Sequence, residues 1–265
     1  MRSRLSLRIV ALAYLGAILA VPVGVVVFKT FEPGLGSVYD SMTTPAAIHA
    51  FYLTVLVTLI AVPLNTVLGV LTALVLVRSR VRGKAILEAL IDLPFAVSPV
   101  VVGLALILLY GREGWFGDEL AQAGVRVIFS LPGIVLATVF VSLPFVVREV
   151  APVLREIGTD QEQAAQTLGA SRWQTFWRIT LPAIRWGLAY GVVLSVARAI
   201  GEYGAVSVVS GKVSGETETM TLLVEKRFQN FDLAGAYAAS TLLAVIALLT
   251  LLAMTVFDRR RKKTL

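Results

Sequence analysis

Six apolar stretches, each bounded by charges or turn residues, dominate this chain: roughly 9–28, 48–77, 85–110, 131–147, 186–209 and 234–257. A helix that crosses a bilayer needs about 20 mostly apolar residues, because the hydrocarbon core is about 30 Å thick and each residue rises about 1.5 Å. Backbone groups in lipid must find partners within their own segment, so runs of this length direct the chain to a bundle of spanning helices. A composition of 57% hydrophobic and 15% charged residues agrees with that class. The expected fold is all-α, a polytopic membrane protein of six transmembrane helices in one domain spanning 1–265. The 48–77 run exceeds what a bilayer requires and either tilts or extends beyond it. The first run follows Arg2, Arg4 and Arg8 as a secretory leader does, but no small-residue cleavage site follows Phe28-Lys29, so it is read as retained.

Orientation comes from lysine and arginine, which collect in cytoplasmic loops. Seventeen of the 24 lie before the first run, in RSRVRGK (78–84), in 148–185 or in the tail DRRRKK; six lie in the alternate loops, and Arg198 falls inside the fifth run. Both termini are therefore expected in the cytoplasm. The net charge of +7 follows from this distribution and is not read as a nucleic-acid footprint.

Most chemistry is excluded by residue type. The chain has no cysteine, hence no disulfide, thiolate metal site or cysteine nucleophile. Its one histidine, His49, has no second ligand at metal-binding spacing and is read as interfacial or capping. No Gly-x-Ser-x-Gly elbow or His-Glu-x-x-His appears. Neither Gly83-Lys84 nor Gly211-Lys212 continues into the Ser or Thr of a P-loop. Any ATP used by such a protein binds on another subunit.

The cytoplasmic segment DQEQAAQTLGASRWQTFWRITLP (160–182) is polar, too poor in apolar residues to enter lipid, and helix-like. Thr159 with Glu162 has capping-box spacing, and Gly169 suits the left-handed residue that ends a helix. Ser171 can cap a second helix carrying Trp173, Phe176, Trp177 and Ile179, which Pro182 is expected to disrupt. Helix geometry alone leaves two uses open, lying on the bilayer or docking a partner, because either needs one apolar face.

Inside the spans, Gly187, Gly191 and Ser195 form one small-residue stripe of the fifth run, and Ala197, Gly201 and Ala205 form another. Small stripes let helices approach closely, which places this run near the bundle centre. Arg198 and Glu202 lie one turn apart within it; either they form a structural ion pair or Arg198 lends positive potential to an anion path while Glu202 restrains it. Asp92, near Pro94 and Pro99, reads as a structural partner for a basic residue or as a path-lining group, on a helix bent where acid and prolines meet. Arg148 and Glu149 are expected to close the fourth span as interfacial groups. The outer segments 111–130 and 211–232 are the surfaces left for an external partner.

Ala164-Ala165, then Gly169, then Ile179-x-Leu181-Pro182 resembles the cytoplasmic EAA loop of ABC importer permeases. The family's glutamate falls on Gln163 here, with Glu162 one place earlier. DLPFAVSPVVVG (92–103), LPFVVREV (143–150) and ARAIGEYGAVSVVSG (197–211) extend the resemblance over nearly the whole chain, to the W-type sulfate/thiosulfate ABC importer permeases. The resemblance implies a coupling helix within a loop of about 151–185 that inserts into a groove on an ATPase subunit, with Glu162, Gln163, Ala164, Ala165, Leu168 and Gly169 as coupling residues. It also implies ABC ATPase subunits that carry ATP and Mg, a second, T-type permease, an extracytoplasmic sulfate-binding protein and a bacterial inner membrane. Molybdate permeases share much of this pattern, which leaves molybdate or tungstate as an alternative substrate. A stand-alone secondary transporter and a membrane enzyme are the competing classes; the missing histidine, cysteine and nucleophile motifs count against the second.

Overall fold

In the computed structural model, the described residues are 2–80 and 82–261, without the side chains of 2–7, 9, 251 and 253–261. The basic side chains at Arg2, Arg4 and 259–263 and Val81 of the second basic loop thus lie outside the description. Helices and no strand occur among the described residues. Five are long and apolar enough to cross a membrane, or six if a bent pair forms one crossing.

The chain is helical from Arg2, through a π turn at Gly16–Ala20, and the Val10–Phe31 part of that helix is the first candidate span, α1; a short α2 (Leu35–Met42) follows. Next comes α3 (Pro45–Arg78), started by Thr44, whose hydroxyl accepts the Ala47 N–H at 3.3 Å. The third apolar run is not one helix. It forms α4 (Lys84–Ala96) and α5 (Pro99–Tyr110), which meet at 113°. Pro99 disfavours helical backbone at the preceding residue, so Val97 and Ser98 are extended (ψ 138° and 134°) before the helix restarts.

A short α6 (Gly117–Gln122) leads to α7 (Leu131–Ile157). It runs through Pro144 and Pro152 well past the expected end at 147, so Arg148 and Glu149 lie inside this helix rather than closing it. After α8 (Asp160–Thr167), α9 (Arg172–Ile200) is continuous. Pro182 does not end it, contrary to expectation. A π turn at Phe176–Thr180 lets the Leu181 N–H reach the Phe176 carbonyl five residues back, and the widened turn accommodates the proline that follows.

The fifth span is corrected at its other end too. The helix stops at Ile200, so Ala197, Gly201 and Ala205 do not form a stripe on one helix. Irregular backbone at 201–205 leads to α10 (Val206–Val209), then α11 (Met220–Gln229) and α12 (Leu233–Arg261). The segment expected as open outer surface is exposed at 211–216 and 228–232 but packed between them: Glu218, Met220 and Leu222 are each 1% exposed. The Met220 N–H donates to Thr54 of α3 at 2.9 Å, and Arg227 Nη2 to the Ser41 carbonyl at 2.7 Å.

The bundle centre is α3, α7 and α9. A Cβ on Gly69 of α3 meets Val146 Cβ of α7 at 2.6 Å, and one on Gly191 of α9 meets the Val146 Cα at 3.0 Å. Without a hydrophobic force between helices in lipid, close backbone approach through small residues supplies the packing. Val70, Ala73, Val147, Val150, Leu154 and Ile184 fill the layer toward α8. The other stripe expected, Gly187-Gly191-Ser195, is thus real: Gly187 and Gly191 face α7, and Ser195 is buried.

Candidate functional site

The 158–171 loop is built by two local signals and one distant contact. Gly158 and Gly169, with φ of 62° and 88°, turn the chain on either side of α8. At the second turn the Gly169 N–H bonds the Gln166 carbonyl and the Ala170 N–H the Ala165 carbonyl, each at 3.0 Å, the pairing of a Schellman end. Ser171 and Gln174 form a reciprocal capping box that starts α9.

The box expected at Thr159 and Glu162 does not form. The Thr159 side chain makes no capping bond and accepts Gln163 Nε2 at 2.9 Å. Glu162 instead turns toward the bundle. Its Oε2 accepts Arg78 Nε at 3.0 Å and its Oε1 the Thr180 hydroxyl at 2.9 Å. Arg78 also donates to the Leu154 and Gly158 carbonyls at 2.9 and 2.6 Å, satisfying groups at the end of α7 that no helical N–H can reach. With 17% and 16% side-chain exposure, Arg78 and Glu162 form a half-buried clasp between α3, α7, α8 and α9. Gln163 and Ala164 are exposed and Ala165 half-buried; Leu168 is 89% exposed, and Trp173 and Trp177 are exposed beside it. The loop therefore has an inner, charged side and an outer side on which Leu168 and Trp173 stand exposed among polar residues such as Gln163 and Gln166. Sequence reasoning missed Arg78 and Thr180: the first had only its place at the end of an apolar run as a signal, and the second lies within the polar segment 160–182 with none.

At the opposite end of α9, Arg198 Nη2 lies 2.6 Å from Glu202 Oε2. Glu202 follows the helix end, and its side chain is 1% exposed against 30% for Arg198. Its Oε1 accepts the Ala205 N–H at 2.9 Å, and its carbonyl accepts the Thr221 hydroxyl at 2.8 Å. The Oε2 contact with Arg198 is charge proximity without an aligned hydrogen bond. Gly201 is exposed at the helix end. Above this node, Lys212 donates to Glu225 at 2.8 Å. Burial pushes the Glu225 carboxyl up, but hydrogen bonds from Lys212 and Tyr203 outweigh it and hold it below the usual carboxylate range.

Asp92 is not brought to this node. Its Oδ1 accepts Arg148 Nε at 3.0 Å, and the Arg148 guanidinium sits 4.3 Å from the Phe95 ring centre. His49 packs tilted against Tyr52 at 6.3 Å. Among the described residues no group of three His, Asp or Glu side chains could hold a metal ion.

Comparison with known proteins matches this architecture. Residues 65–263 fit the family described as binding-protein-dependent transport system inner membrane component. The chain is 48% identical to the sulfate transport system permease protein CysW of Synechocystis, over 94% of this chain and 91% of that one. It is 37% identical to the sulfate transport system permease protein CysT of Escherichia coli, over 94% of this chain and 90% of that one. A solved bacterial ABC transporter involved in the import of the acidic polysaccharide alginate shares the fold, with a TM-score of 0.78, 20% identity, and coverage of 98% and 96%. With helices, loop and sequence in agreement, the chain belongs to the family of binding-protein-dependent transport system inner membrane components.

Proposed function

We propose that the chain is the transmembrane permease subunit of an ATP-driven ABC importer that carries sulfate or thiosulfate across a bacterial cytoplasmic membrane, acting as one domain. The observation that carries this reading is near full-length likeness, at 48% identity, to a sulfate transport system permease. The lower identity to a T-type permease supports a homologous second permease as its partner. ATP and Mg bind to the ATPase subunits and not to this chain, and an extracytoplasmic binding protein delivers the anion. Both termini face the cytoplasm, as the basic residues favour.

In this reading α8 is the coupling helix. Gln163, Ala164, Ala165, Leu168 and Gly169 present the surface that docks on the ATPase, while Glu162 transmits its motion. The clasp joins α8 through Arg78 to α3, so displacement of the loop reaches a central helix by a charge-assisted contact rather than through flexible backbone. Arg198, Gly201 and Glu202, with Asp92, line or shape the route of the anion.

Labelled sulfate uptake in cells without their own sulfate permease, expressing this chain with its partner subunits, tests the reading. Uptake that thiosulfate suppresses is expected. Molybdate accumulation without sulfate uptake would move the substrate and leave the coupling argument standing.

A further inference from the structure

The face between α4 and α7 carries four charges that the coupling argument does not use. Glu88 and Asp92 lie one turn apart on α4; Arg148 and Arg155 lie two turns apart on α7. They pair as Asp92–Arg148 and Glu88–Arg155, each at 2.9 Å. All four line one cavity of about 260 Å³.

Exposure decides what this face meets. The side chains are 54% and 51% exposed in the first pair and 55% and 50% in the second. Arg148 sits roughly 13 Å up the spanning helix from its Ile157 end, at about 1.5 Å per residue. A charge at membrane depth costs at least about 2.5 to 3.5 kcal/mol against lipid, so a half-exposed cluster must face water or another chain. The cavity, at about 260 Å³, has room for water against these side chains.

Donor geometry indicates the ligand. Arg148 directs both Nε and Nη2 at the single oxygen Oδ1 of Asp92. Arg155 contacts Glu88 through Nη2 alone. A guanidinium has five N–H donors in a planar fork, so both arginines have more donors than these carboxylate contacts use, on side chains that line the cavity. We propose that Arg148 and Arg155 are binding residues for a small tetrahedral oxyanion on its way to the cytoplasm, with Asp92 and Glu88 as the tethers that position them. The carboxylates also lower the net field, so the anion binds firmly enough to enter and weakly enough to leave. This inference rests on the proposed oxyanion substrate.

A purely structural role, bracing α4 on α7, makes a different prediction. The test uses the whole complex in proteoliposomes, with labelled sulfate uptake measured against the amount of assembled complex. Arg148→Gln and Arg155→Gln are each expected to lower uptake at least tenfold per assembled complex. The exchange of Asp92→Arg with Arg148→Asp is expected to restore the pair and assembly but not uptake. Uptake by the exchanged pair within twofold of the parent, or parental uptake by both glutamine variants, overturns the inference while the importer reading stands. If the parent carries none of sulfate, thiosulfate and molybdate, the substrate reading falls and this site with it. Should Arg148→Gln fail to assemble, Arg155→Cys decides, in a chain with no other cysteine. Uptake is expected to recover when an aminoethyl thiosulfonate restores the positive charge and not with its neutral methyl counterpart; equal recovery with both overturns the proposal.

Discussion

Glu162 and Gly169 show how differently two residues of one short loop carry their information. Gly169 is fixed locally: its φ of 88° is what a residue without a Cβ adopts readily, and a Cβ there would meet nothing within 4 Å. Gly169→Val therefore suffers from backbone conformation alone, about 1 to 2 kcal/mol, with insertion intact. We expect the complex that carries it to hydrolyse ATP while importing at least tenfold less sulfate, measured as the two rates in one preparation; normal uptake would remove Gly169 from coupling. Glu162 is fixed at a distance of 84 positions, by Arg78. Its spacing from Thr159 reads as a capping box, and nothing in the local sequence reveals the stronger claim of a guanidinium across the bundle. Arg78→Ala leaves the Glu162 carboxylate half-buried and unpaired, a loss of about 3 kcal/mol by analogy with broken buried pairs. Faster cleavage of the 158–171 loop by protease in the assembled complex checks it, and exchange of the two charges should restore much of the protection.

Among elements, apolar length located the spans but not their breaks. Pro99 and Pro182 look alike in the sequence and act oppositely, because a proline in the first turn of α5 follows a residue forced extended, whereas a π turn absorbs Pro182 inside α9. The π turn also places the Thr180 hydroxyl on Glu162 of α8, a contact that no local pattern records. The small stripe of α9 was legible because glycine spacing reports contact directly. A side chain at Gly187 meets the Glu149 carbonyl at 2.8 Å, whereas one at Gly201 meets only the Ala197 carbonyl at 3.5 Å. Gly187→Leu should therefore destabilise by about 1 to 3 kcal/mol and reduce the yield of assembled complex, while Gly201→Ala should assemble normally. Equal yields from the two would contradict the packing of α9 on α7. The segment 211–232 was misjudged only in part and for a related reason: 211–216 and 228–232 are exposed, whereas 217–220, 222 and 223 are buried. Its polar residues look solvated, but Glu218 is held by Ser214 and Lys226 and goes inside with Met220 and Leu222.

For the molecule as a whole, α3, α7 and α9 join the two ends of the account. The Arg78–Glu162 clasp grips α3 and α7 at the end that carries the α8 loop, and the Arg198–Glu202 pair closes α9 at the other. A push on α8 is thus delivered to helices that also carry the charged groups of the proposed route. The central claim is that ATP, acting through this loop, drives oxyanion import. Sulfate uptake into proteoliposomes holding the complete complex, measured with ATP on the ATPase side and again without nucleotide under an imposed ion gradient, tests it most directly. The account predicts uptake that requires both ATP and the binding protein; equal uptake driven by the gradient alone would show a secondary transporter and contradict it.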